Sequence, residues 1–316
     1  MPELKVGVIG VGVMGTFHAQ VYAGLPGVKL VGVTDPNPER LRAIERDLEV
    51  PGFSSAEDLL DKVDAVSIAS PTSWHYRTTR PFLERGIHVL VEKPLAPSLE
   101  EAEALAALSA HNGAVLQVGH IMRFYKAVER LPELIKSPIA IEARRMGNTR
   151  RVRDIGVILD LMIHDIDLLL LLLREQPQSW HVVGRHFGEH EEYAHAVLEF
   201  PSGVQAALTA SRVSAQSRRL LTITQPDGVV EMDFTNDPYT EVSIYRAEGE
   251  QNGKTEVQVG RVSIHNENPL RREIKHFIDR IQRGTAPIGT LADDLTTLRI
   301  ALALREELAR EVHEYC

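Results

Sequence analysis

Cysteine is almost missing from this 316-residue chain: the single one, Cys316, is its last residue. An intrachain disulfide is therefore impossible and a zinc site built from cysteines has no ligand set, so the chain reads as a protein of the reducing cytoplasm. Basic charge is also in short supply. Thirty-five lysines and arginines stand against 44 aspartates and glutamates, a formal net charge of −9, which argues against nucleic acid or an anionic membrane surface as partner. The greasiest stretch, Leu168 to Leu173, falls far short of the roughly 20 residues that span a bilayer and is flanked by Asp165, Asp167 and Arg174, so it reads as a buried helix. There is no internal repeat, low-complexity tract or signal-peptide pattern, Met1-Pro2-Glu3-Leu4-Lys5 running directly into a strand.

What is present fits a soluble globular protein, with 43% hydrophobic and 25% charged residues. The length predicts two domains. Residues 1–120 alternate strand-like and helix-like segments in the manner of βαβ units, with apolar strands at Leu4–Ile9, Val28–Thr34, Ala65–Ala69, Ile87–Val91 and Ala114–Val118. Residues 121–316 change texture. A helix around Tyr125–Ile135, a segment Ile139–Met146 and a helix from about Gly156 to Leu173 precede a series of β-rich segments parted by turns such as Pro201-Ser202-Gly203 and Pro226-Asp227-Gly228. Two helices close the chain. The expected class is α/β, an N-terminal Rossmann fold followed by an α+β domain with a large, mainly antiparallel open sheet. One face of so large a sheet exceeds what a single helix layer covers, so a homo-oligomer, dimer or tetramer, is expected through it.

Gly10-Val11-Gly12-Val13-Met14-Gly15 fits G-x-G-x-x-G and stands where that motif has meaning, after an apolar strand and at the start of a helix. The first glycine permits the turn, the second lets a pyrophosphate approach the backbone, and the third allows close helix–strand packing. Asp35 ends the second strand, where an acid hydrogen-bonds a ribose 2′-OH and repels a 2′-phosphate, so NAD is favoured over NADP; Arg40 is the nearby residue that could blunt the preference. Ser70-Pro71-Thr72 follows the next strand, with Trp74 and His75 either lining the cofactor pocket or simply packing.

Glu92-Lys93-Pro94 puts a lysine where a buried parallel strand runs out, the edge at which ligands collect in open α/β sheets. Pro94 has no N–H to offer a ladder and stops the strand. Further on, Asp160 and His164 have the i, i+4 spacing of one helical face. His164 can trade a proton near neutral pH, with Asp160 orienting it or binding substrate. A metal-binding pair lacks an obvious third ligand nearby, and a purely structural pair remains open, as does a solvated Lys93.

In order and spacing, the glycine motif, Asp35, Glu92-Lys93-Pro94 and Asp160-x-x-x-His164 resemble the glucose–fructose oxidoreductase / inositol dehydrogenase / rhizopine catabolism (Gfo/Idh/MocA) family over essentially the whole chain. The resemblance implies an NAD(P)-linked dehydrogenase of CH–OH groups on a sugar or polyol. Its catalytic set would be Lys93, Asp160 and His164, with Ser70, Pro71, Thr72, His75, Glu92 and Lys93 beside the cofactor. In alcohol oxidation His164 would take the hydroxyl proton, with Lys93 stabilising charge on the reacting oxygen or sharing the relay. Gly119-His120-Ile121-Met122-Arg123-Phe124 also resembles the family; His120 and Arg123 are candidate walls of the substrate site, against the plainer readings of a buried histidine and a structural ion pair. Tyr125 stands where many relatives have asparagine.

Arg144, Arg145, Arg150, Arg151 and Arg153 crowd the chain just before the catalytic segment. Guanidinium groups suit phosphate oxygens, so Arg150 and Arg151 are expected to bind an anionic substrate such as a nucleotide sugar, against the plainer reading of a solvated or interface loop making local ion pairs. The stretch from Asp154 to Asp167 resembles the branch that includes UDP-N-acetylglucosamine 3-dehydrogenases. A dehydrogenase of a free sugar, inositol or other polyol is the alternative, and a non-catalytic dinucleotide-binding regulator the alternative of another class.

Overall fold

In a computed structural model, which describes residues 3–148, 152, 154–251 and 254–314, the chain forms two compact units. The first takes Met1–Ile121 with Leu270–Leu298, the second Met122–Pro269 with Arg299–Cys316.

The first unit is a doubly wound sheet. Strands β1 (Leu4–Ile9), β2 (Val28–Thr34), β3 (Gly52–Phe53), β4 (Ala65–Ile68), β5 (His88–Glu92) and β6 (Leu116–Gly119) lie in the order β3-β2-β1-β4-β5-β6, all parallel. The helices between them are α1 (Val13–Ala23), α2 (Pro38–Leu48), α3 (His75–Glu84) and α4 (Leu99–Asn112). Local sequence sets their ends: the Asn37 side chain caps α2 by accepting from the Glu39 and Arg40 N–H groups, and Ser98 caps α4 by accepting from Glu101 N–H at 3.2 Å. Strand order reverses between β1 and β4, which puts the glycine turn and the ends of β4 and β5 on one carboxyl edge.

A second domain over 121–316 needs correction. Helix α8 (Pro269–Arg283) carries Leu270, Ile274, Phe277 and Ile278 at helical spacing, and these bury themselves with Val6, Val8, Val33 and Leu90 in the core of the first unit. The first part of α9 (Leu291–Glu314) belongs there as well.

The second unit begins with two one-turn helices, α5 (Lys126–Glu129) and α6 (Leu131–Leu134), in place of the single helix expected over Tyr125–Ile135. Its sheet has eight strands: β7 (Ala140–Met146), β8 (Ser179–His186), β9 (Glu191–Glu199), β10 (Gln205–Ser211), β11 (Arg218–Gln225), β12 (Gly228–Asp233), β13 (Tyr239–Gln251) and β14 (Lys254–His265). The order β14-β13-β12-β11-β7-β10-β9-β8 inserts β7 between β11 and β10. The pairing of β7 with β10 is parallel and the rest antiparallel, so the sheet is mainly antiparallel as expected, with β7 and β10 breaking the order of a simple meander. Alternation buries Ile141 and Ala143 of β7, Ala194, Ala196 and Leu198 of β9, and Ala206, Leu208 and Ala210 of β10. A π-helical turn, Ile158–Met162, packs on β10 and runs into α7 (Ile163–Leu173), so the expected Gly156–Leu173 helix opens with a widened turn.

Candidate active site

The glycine turn is held from several sides. Gly10 has φ +81° and donates its N–H to the Thr34 carbonyl at 2.7 Å. A Cβ on Gly15 would lie 1.7 Å from the Gly10 carbonyl oxygen, so only glycine fits beneath the turn. Over Gly12 the space is open, the nearest atom to a Cβ there being Arg40 Nη1 at 4.0 Å. Val13 is exposed and Met14 half-buried at the start of α1, whose first turn carries no acidic residue.

Asp35 does more than await a ribose. It is 4% exposed, and its Oδ2 accepts from Val11 N–H at 2.9 Å while Oδ1 accepts from Asn37 N–H at 2.8 Å. The carboxylate thus ties the glycine turn to the loop after β2. The exposed Arg40 guanidinium stands 3.7 Å from Asp35 Oδ2.

The loops after β4 and β5 share one fastening. His75, 1% exposed, has Nδ1 at 2.7 Å from the Pro94 carbonyl oxygen and Nε2 at 2.9 Å from that of Ser70. Thr72 is buried, Pro71 and Trp74 exposed, and Trp74 stacks under the Arg77 guanidinium at 5.0 Å. His75 is therefore a packed, hydrogen-bonded side chain beside Lys93-Pro94. Glu92 is anchored by His18, Oε1 lying 3.1 Å from Nε2, and its side chain fills the space above Gly119. Burial alone would raise the Glu92 pKa; the His18 hydrogen bond and charge, with Lys93 and His75, outweigh it and hold the group below the ordinary carboxylate range. Lys93, at the end of β5, is half-buried.

In the second unit Asp160 lies in the π turn and His164 in the first turn of α7, both half-buried. The acids that follow them are engaged. Arg123 donates from Nε to Asp167 Oδ2 at 2.9 Å in a two-pronged buried pair, the structural ion pair weighed above. Arg145 sits on the buried face of β7 because Asp165 meets it there, Nη2 to Oδ1 at 2.7 Å. Arg144 points the other way, exposed and paired with Glu142. Two of the five clustered arginines are thus spoken for, while Arg150, Arg151 and Arg153 lie outside the described residues. His120 is buried in the first unit, its Nε2 at 3.7 Å from Asp294 Oδ1.

Comparison with known proteins agrees with both units. Residues 4–120 match the family model described as an oxidoreductase family with an NAD-binding Rossmann fold, and residues 139–231 match the Gfo/Idh/MocA C-terminal domain. UDP-N-acetylglucosamine 3-dehydrogenase of Acidithiobacillus ferrooxidans is 37% identical over 285 residues, 89% of this chain and 90% of that one. The chain belongs to the Gfo/Idh/MocA family. Among solved structures, that of UDP-N-acetylglucosamine 3-dehydrogenase from Acidithiobacillus ferrooxidans is similar with a TM-score of 0.89 and 35% identity, covering 98% of each chain. The scyllo-inositol 2-dehydrogenase (NAD⁺) of Bacillus subtilis is 28% identical over 95% of this chain and 93% of its own.

The first unit matches the NAD-binding Rossmann fold of the family model, and the residues present fit that cofactor. Gly12 leaves its approach clear, α1 offers N–H groups with no competing acid, and Asp35 retains lone pairs for a ribose hydroxyl. Reasoning from the sequence missed three side chains at these sites. His18 is hidden inside a helical pattern, and Glu191 and Arg212 sit at a strand start and a strand end with no local motif to mark them.

Proposed function

We propose that this family member is an NAD-dependent dehydrogenase acting at a secondary ring hydroxyl of a nucleotide sugar, of the UDP-N-acetylglucosamine 3-dehydrogenase type. The observation that carries the reading is the likeness to that enzyme along nearly the whole chain, 37% identity with 90% of the relative covered. NAD supplies the hydride acceptor. The chain's own groups do the rest: His164 takes the hydroxyl proton, Asp160 orients His164 or holds a neighbouring hydroxyl, and Lys93 donates to the reacting oxygen as charge develops on it. Arg150 and Arg151 bind the pyrophosphate. In this reading His75 and Glu92 act beside the cofactor by holding Lys93, through the Pro94 carbonyl and the His18 bond.

The test is reduction of NAD⁺ by a panel of UDP-sugars, free sugars and inositols. Turnover of UDP-N-acetylglucosamine is expected, with Lys93→Ala and His164→Ala each lowering kcat by at least about 100-fold. Turnover of scyllo- or myo-inositol alone would favour the polyol reading, which the 28% identical inositol dehydrogenase supports. NAD binding without turnover of any of them would favour a regulator.

A homo-oligomer, dimer or tetramer, through the eight-stranded sheet and a cytoplasmic setting belong to the same proposal. Val257 and Val259, exposed two residues apart on β14, support the first. Light scattering after size exclusion measures it. Among the described residues no helix is long and apolar enough to cross a membrane.

A further inference from the structure

Arg212 follows β10 directly and is 4% exposed. Its own N–H is pinned to the Glu192 carbonyl at 2.9 Å. From there the guanidinium reaches into the segment that leads to the π turn. Nη1 donates to the Val152 carbonyl at 2.9 Å and Nη2 to the Ile155 carbonyl at 2.6 Å. Nη2 also lies 3.4 Å from Asp160 Oδ2, and Nη1 lies 3.7 Å from Glu192 Oε1. One rigid fork thus holds two backbone carbonyls and the carboxylate of the proposed catalytic set, a task that needs the fixed N–H directions of arginine.

A second fastening comes from β9. Glu191, also buried, accepts the Ile158 N–H through Oε1 at 3.1 Å, at the first residue of the π turn. Space for its carboxylate exists only because residue 156 is glycine, since a Cβ there would lie 2.0 Å from it. The start of the segment bearing Asp160 is therefore held by two charged side chains from the sheet. The widened turn it adopts has its backbone fixed from outside as well as within.

We propose that Arg212 is the positioning residue of the proposed catalytic set, fixing the Asp160 carboxylate and the carbonyls of Val152 and Ile155 in one arrangement through a single guanidinium. The proposal rests on the catalytic role given to Asp160 above. Arg212 acts through Asp160 and the neighbouring carbonyls, so its removal should lower kcat more than it raises KM, and leave cofactor affinity in the first unit alone.

Two measurements on the full chain test this. Hydrogen–deuterium exchange compares wild type with Arg212→Gln and Arg212→Lys. The amides of residues 156–164 should exchange at least about 5-fold faster in both variants, with those of α1 unchanged. Unchanged protection of 156–164 in both would overturn the proposal. Steady-state kinetics on whichever sugar the wild type oxidises form the second measurement. Arg212→Gln should lower kcat about 50-fold with NADH affinity held within twofold, and Arg212→Lys should recover part of the loss. In an Asp160→Asn background the same change should cost less than about 3-fold, because the two residues share one function. Full additivity, or wild-type kcat in Arg212→Gln, would overturn it. If Asp160→Asn itself leaves turnover intact, the role of Asp160 fails instead, and the exchange result still judges Arg212 on its own. Should Arg212→Gln not fold, Arg212→Lys decides alone: faster exchange with lowered kcat supports the proposal, and wild-type behaviour sinks it.

Discussion

The ring of His75 and the backbone of Pro94 meet at 2.7 Å, Nδ1 to carbonyl oxygen, while the other ring nitrogen faces the Ser70 carbonyl at 2.9 Å. A carbonyl oxygen only accepts, and a neutral imidazole has a single N–H to donate. The two contacts are hydrogen bonds together only in the imidazolium form. His75 thus fastens the loops that end β4 and β5 from one ring, at Ser70 and at Pro94, the residue after Lys93.

Nitrogen-15 spectra of the histidines should show a His75 ring N–H that is held by a carbonyl and exchanges slowly with solvent, and a rapidly exchanging ring proton would refute the fastening. His75→Leu, which leaves two buried carbonyl oxygens unserved, should cost about 3 kcal/mol of stability. It should also lower kcat by up to about 100-fold, through misplacement of Lys93.

His88 uses its ring in the opposite sense. Its Nδ1 accepts the Val115 N–H at 2.9 Å, which requires a lone pair there. Burial lowers its pKa from 6.5, the Asp64 charge opposing only in part. The folded state thus binds this proton less tightly than the unfolded chain, so the contribution of His88 is complete above pH 6.5 and fades as pH falls through its lower folded value. Glu92 adds a second step further down, since its pKa is lowered from 4.5: its contribution is full above that value and is lost as pH falls through the folded one. Denaturant unfolding from pH 8 to pH 3 should show both, His88→Asn removing the upper step and Glu92→Gln the lower. An unaltered pH profile in either variant would count against that residue.

Much of this was legible in the sequence because it is local. The β1 run, the G-x-G-x-x-G turn and Asp35 at the end of β2 lie within one βαβ unit, where spacing alone carries the geometry. The caps at Asn37 and Ser98 are equally local. What remained hidden depends on long-range packing. The apolar stripe of α8 shows that a face is buried, but not that it returns to β1, β2 and β5 in the first unit. Nothing near Ile139–Met146 indicates that β7 will enter the sheet between β10 and β11. The pairs Arg123–Asp167 and Arg145–Asp165 join residues 44 and 20 positions apart, so no local pattern marks that Arg123, or Arg145 of the arginine cluster, is already engaged.

Those two pairs predict a separation of stability from catalysis. Asp165→Asn leaves Arg145 buried on β7 without its carboxylate and should cost about 3 kcal/mol by chemical denaturation. Turnover per folded molecule should stay within about twofold, because neither residue is assigned to the reaction. A selective rise in KM for the sugar would instead assign Arg145 to the substrate site.

Gly12 and Gly15 lie three residues apart in the same motif and should fail differently. A methyl on Gly15 meets the Gly10 carbonyl oxygen at 1.7 Å, backbone against backbone, with no flexible side chain to yield. Gly15→Ala should therefore destabilise the first unit by at least about 3 kcal/mol or prevent folding. At Gly12 the backbone has φ −68°, which alanine adopts without strain, and a Cβ has only Arg40 Nη1 within 4.0 Å. Gly12→Ala should melt within about 0.5 kcal/mol of wild type. Its Kd for NADH, followed by cofactor fluorescence, should rise about 10- to 100-fold, because the methyl occupies the approach of the pyrophosphate. Wild-type cofactor affinity in Gly12→Ala would mean that the phosphates do not pass over this turn.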